Sequence, residues 1–126
     1  MNRIHHWICS SKRWKRILSN EIFSRVFAGV DLGKNVLEIR PGPGHIPTPM
    51  LQDRLFAEIH RVLRPGAVFV GMDVVDTWSL RLMHWGDSLV PIDPAHLAPR
   101  LRRAGFEDTD IETEKHAFRF SARGPA

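Results

Sequence analysis

A chain of 126 residues with 43% hydrophobic and 25% charged side chains has the balance of one folded domain with a modest core, not of a disordered tail. The formal net charge of +4 is concentrated at the start, where over residues 1–34 Arg3, Lys12, Arg13, Lys15, Arg16, Arg25 and Lys34 face only Glu21 and Asp31. No apolar run approaches the roughly 20 residues of a membrane span, and the start lacks a signal-peptide core, so a cytoplasmic protein is expected.

Cys9 is the single cysteine, which excludes an internal disulfide. The seven histidines form no HExxH-like pair, and no metal is expected. A basic face can meet nucleic acid or an anionic membrane surface. With no recognised nucleic-acid module beside it, a solvated helix face is the preferred reading and nucleic acid is disfavoured as a partner.

In chain order, Ile4, Trp7, Ile8, Trp14, Ile17, Leu18, Ile22, Val26 and Phe27 recur at helical spacing, with the cations between them. This predicts an amphipathic helix, or two broken near Ser10 and Ser11, in an N-terminal region over residues 1–34. Asn35 to Ile39 is the expected first strand, and Pro41, Gly42, Pro43 and Gly44 then make a turn with little room for regular structure. Thr48 as N-cap and Pro49 at the first helical position open a helix whose stripe is Leu51, Leu55, Ile59 and Val62 and which stops at Arg64-Pro65-Gly66. Ala67 to Met72 is an apolar, β-branched run that reads as a buried parallel strand, completing a strand–helix–strand unit with the first.

Trp78, Leu80, Leu82, Met83 and Trp85 form a short helical or irregular apolar piece. Asp93-Pro94 caps a further helix along Leu97, Leu101 and Ala104 that ends at Gly105. Phe106 to Glu114 and His116 to Ala122 alternate as two strands of an antiparallel pair. Residues 1–126 thus read as one domain.

The stretch VLEIRPGPG, Val36 to Gly44, resembles the first motif of class I S-adenosylmethionine-dependent methyltransferases, with Glu38 at the family's acid and Gly42 and Gly44 at two of its glycines. Arg40 stands where the first glycine belongs. LQDRLFAEIHRVLRPGAVFVGMD is similar to the family's late helix, Pro-Gly turn and fifth strand, and AGF with AFRFSAR is similar to its closing strands. The middle strands and their helices, on the order of sixty residues, have no counterpart.

The resemblance implies an α/β fold: a truncated Rossmann-like methyltransferase sheet, mostly parallel with an antiparallel C-terminal strand pair. It implies S-adenosylmethionine as cofactor, held by Glu38, Gly42 and Gly44, and a small-molecule or lipid acceptor. Asp73, at the end of the fifth-strand segment, lies where such clefts gather ligands, and is as often a cap. The other reading is a non-catalytic remnant or partner-binding module, homo-oligomeric through exposed sheet edges.

Overall fold

A computed structural model describes residues 7, 8, 10–31, 33, 36–38, 48–86 and 90–126. Among them the elements are α1 (Lys12–Ile17), a π-helical turn (Leu18–Ile22), α2 (Phe23–Val26), α3 (Pro49–Val62), β1 (Val68–Val74), α4 (Trp78–Met83), α5 (Pro94–Arg103), β2 (Glu107–Thr113) and β3 (Ala117–Arg123). The strands form one sheet in the order β1-β3-β2. Both pairings are antiparallel, Gly71 opposing Phe120 and Ile111 opposing Phe120 from the other side.

The expected mostly parallel, Rossmann-like sheet is therefore corrected to an antiparallel one. The expected C-terminal pair is present as β2 and β3, but β1 is not parallel to an earlier strand. Val36, Leu37 and Glu38 carry no strand and are exposed, and they run toward two prolines that supply no ladder donors. β1 pairs instead with β3, which the short turn at 114–116 returns alongside β2.

Alternation along β3 explains the choice. Phe118, Phe120 and Ala122 are buried on one face, where Phe56 and Ile59 of α3, Leu97 and Leu101 of α5, and Phe106 close the core. Phe69 of β1 joins them, its ring 5.1 Å from Phe120 and 5.5 Å from Phe106. Two helices thus cover one side of a three-stranded sheet, and the largest fully buried side chains among the described residues are Phe106, Phe118, Leu97 and Leu101.

The caps are those the sequence predicts. Thr48 Oγ1 accepts from Leu51 N with Pro49 in the first turn of α3, and Asp93 accepts from Ala95 N ahead of Pro94. Gly105 ends α5 at φ 103°, and a Cβ there would meet His60 Cε1 at 2.8 Å, so both the backbone and the close ring demand glycine.

On the other side of the sheet lies the N-terminal helical run. Its stripe Trp14, Leu18, Ile22, Val26 steps by four residues, and each step overshoots a full α-turn by about 40°. The wider π-turn at Leu18–Ile22 removes part of that drift, so that Val26 arrives buried while α2 packs on β1 and β3. Arg119 locks it there, donating from Nε to Val26 O at 3.1 Å and from Nη2 to Ala28 O at 2.7 Å. These are carbonyls at the end of a helix, which have no intrahelical donor and carry the negative end of its dipole.

Candidate functional site

The two outer strands of the sheet are built on opposite principles. β2 carries Glu107, Asp108, Asp110 and Glu112, all exposed, and its register shifts between Glu107 and Asp110, where Asp108 takes φ 44°. Charge and a bulge both discourage another strand from pairing there. β1, VFVGMDV, has no lysine, arginine or proline, and its one charge is Asp73 near the end.

The ladder fixes which way β1 points its donors. Val75 N donates to His116 O at 3.0 Å and Gly124 N donates to Ala67 O at 3.0 Å, so odd-numbered residues of β1 exchange bonds with β3. The amides of Val68, Val70, Met72 and Val74 consequently face the outer edge. Among the described residues no strand pairs with that edge. Asp73 closes its end: its Oδ1 accepts from Val74 N at 2.8 Å.

Asp73 also accepts from the backbone of Ile92, tying the end of β1 to the segment that enters α5. Burial pushes its carboxyl above the ordinary range, and the two backbone bonds pull the other way without cancelling it. The carboxyl lies on the core face, on the same side as Phe69 and Gly71, because side chains alternate along the strand. Its observed partners are those of a cap joining β1 to the α5 entry.

Of the cofactor residues the resemblance implies, Glu38 is described and lies exposed in no regular element. Gly42 and Gly44, with Arg40 and the rest of that loop, lie outside the described residues. The structure places Asp73 at a strand end and Glu38 off the sheet. A hollow lined by Asp53, Ala57, Arg100, Arg103 and Ala104 has a volume of about 160 Å³. Typical small-molecule sites have roughly 300–1,000 Å³.

Two arginines that the sequence reading did not single out do much of the joining. Arg100 donates from Nε to Asp53 Oδ1 at 2.6 Å and from Nη2 to Gln52 Oε1 at 2.9 Å and Pro49 O at 3.0 Å, and its guanidinium lies 5.4 Å from the Phe56 ring centre. Buried Gln52 in turn donates to Val90 O at 3.2 Å. Arg119 was legible only as a cation between two buried phenylalanines, a sign that both faces of β3 are covered. No helix among the described residues is long and apolar enough to cross a membrane.

No protein-family model matches the chain, and no curated protein matches it. The chain is similar in fold to a solved structure described as a possible exported protein from Bordetella parapertussis, at a TM-score of 0.52 and 18% identity, over 64% of this chain and 35% of that one. The chain thus spans about a third of the length of that protein. At this identity the likeness is one of fold.

Proposed function

We propose that the chain is a non-catalytic association module of methyltransferase descent, which pairs with a second copy of itself through the outer edge of β1. The observation that carries this reading is the contrast between the two edges: β2 is protected by acids and a bulge, whereas β1 presents apolar residues and a row of outward amides with no bulge and a single acid, Asp73, at its end. Antiparallel pairing of β1 with its symmetry mate would join two three-stranded sheets about a two-fold axis, the commonest closed arrangement.

What supports the descent is the course of the segments similar to that family. LQDRLFAEIHRV lies in α3, Arg64 to Gly66 forms the turn, Val68–Val74 the strand, AGF the link from α5 into β2, and AFRFSAR the closing strand β3. The competing enzymatic reading, methyl transfer from S-adenosylmethionine to a small-molecule or lipid acceptor, needs Glu38, Gly42 and Gly44 gathered at a strand end. Val36 to Glu38 supplies no such strand.

Sedimentation equilibrium of the purified chain decides the association. A dimer is expected, with Val70→Pro giving a monomer that still melts cooperatively, because proline there deletes an outward amide and no bond to β3. Val70→Lys, a charged guard of the kind seen on natural edges, should act the same way. A wild-type monomer at high concentration rejects the proposal. Calorimetric titration with S-adenosylmethionine separates the two readings, since saturable heat would restore the cofactor site.

A further inference from the structure

We propose a second surface, independent of the β1 edge: the end of the sheet that carries α4 and the N-terminal helix docks on an anionic lipid bilayer. α4 is a short helix with Leu80 buried beneath it and Thr77 capping it at Leu80 N. Its opposite face carries Trp78 and Leu82 four residues apart, and Trp85 follows in the turn just past the end of the helix at Met83. Their exposures are 77%, 51% and 78%. Single exposed apolar residues are ordinary, but two exposed tryptophans and an exposed leucine on one short helix and the turn that follows it concentrate apolar surface in one place. Indole, apolar over most of its surface with one N–H donor, partitions to the boundary between headgroups and acyl chains.

The cations belong to the N-terminal helical run, whose last turn is tied to the same end of the sheet. α2 sits over β1 and β3, held by Arg119 and by Arg25, whose Nη1 donates to Glu114 Oε2 at 2.7 Å beside the β2–β3 turn. α4 begins at Trp78, close behind Val74, and Val75 N is bonded to His116 O of that same turn. The helical run that α2 ends carries Lys12, Arg13, Lys15 and Arg16, all exposed, with no acid in its first turn. Lys115 and His116 lie exposed at the turn itself.

An anionic bilayer satisfies both elements at once, cations at the headgroups and indoles just below them. A second copy docking symmetrically through this end would gather the cations of both KRWKR segments into one interface. The aliphatic Leu82 in the middle of the patch has nothing to offer a phosphate backbone.

Co-sedimentation of the full chain with vesicles tests the proposal, using phosphatidylcholine alone and an equal mixture with phosphatidylglycerol. Binding to the mixed vesicles is expected, falling as salt rises, with a blue shift of tryptophan emission. Trp78→Ser with Trp85→Ser should lower the partition about tenfold or more, and so should Lys12, Arg13, Lys15 and Arg16 changed together to Gln. Both sets should leave the sedimentation behaviour of the β1 dimer unaltered. Should the tryptophan variants fail to fold, quenching of wild-type emission by brominated lipid gives the same reading. The proposal is overturned by equal indifference to both vesicles, by undiminished binding of the variants, by absent quenching, or by a blue shift that grows with protein concentration and no lipid, which assigns the patch to a protein contact.

Discussion

Phe120 lies across the bare Cα of Gly71: on paired strands, a Cβ built on that glycine would come within 2.4 Å of Phe120 Cζ. The ring has little freedom to withdraw, being buried and packed edge-on against Phe69 at 5.1 Å and tilted against Phe118 at 6.4 Å. Gly71 is thus the gap in β1 that admits a ring from β3.

Gly71→Ala should cost about 2–3 kcal/mol through overpacking and lower the melting temperature accordingly. Adding Phe120→Leu to it should recover part of the loss, giving a favourable coupling in a double-mutant cycle. Additive losses would show that the alanine is accommodated elsewhere.

Arg119 is the link between the sheet and the N-terminal helix. Its side chain is mostly buried, 15% exposed, and gives two donors to Val26 O and Ala28 O. Arg119→Met keeps the bulk and removes both bonds, and is expected to destabilise by about 2 kcal/mol. Limited proteolysis should then cut between α2 and α3 faster, releasing the basic helix while the core of α3, α5 and the sheet persists. Unchanged cutting would mean that apolar packing of Val26 alone holds the helix.

Arg100 anchors α5 to the first turns of α3. With 11% of the side chain exposed it serves Asp53, Gln52 and Pro49 O together, and Asp53 is the half-exposed partner. Arg100→Met should cost about 2–4 kcal/mol, since it strands buried Gln52 and the Pro49 carbonyl. Arg100→Lys should recover less than half, because an ammonium lacks the planar fork that reaches all three acceptors. Urea midpoints of the three chains check this, and full recovery by lysine would reduce the role of Arg100 to charge alone.

How much of this was open to the sequence depends on the range of the interaction. Local chemistry was legible: Thr48-Pro49 and Asp93-Pro94 start helices, Gly105 ends one, and the Phe118–Phe120–Ala122 alternation places β3 in a sheet. Pairing partners were not. The apolar run of β1 is compatible with a parallel or an antiparallel neighbour, and the expectation of a parallel one rested on Val36 to Glu38 forming a strand. Period and composition carry no information about which strand lies beside which. Arg100 and Arg119 were missed for the same reason, as the acceptors of Arg100 are 47 to 51 residues away in sequence and the helix-end carbonyls that Arg119 holds are 91 to 93 away. The candidate edge, by contrast, follows from composition once the order β1-β3-β2 is known, because only then are β1 and β2 recognised as the outer strands.

Asp73 gives the fold a dependence on pH whose sign can be worked out. Burial raises its carboxyl above the ordinary value of about 3.9, so the protonated form is favoured in the folded state. The stability this contributes is fully present below the unfolded value and is lost as pH rises through the folded one. Asp73→Asn removes the titration while keeping an oxygen to accept from Val74 N or Ile92 N. Urea midpoints of wild type and variant, followed from about pH 3 to about pH 7, should therefore diverge, with the wild type losing ground to the variant as pH increases. Parallel curves would mean that the two backbone bonds offset burial completely. A wild type that gains on the variant with rising pH would show that those bonds outweigh burial, and that the carboxylate is the form β1 is built to hold.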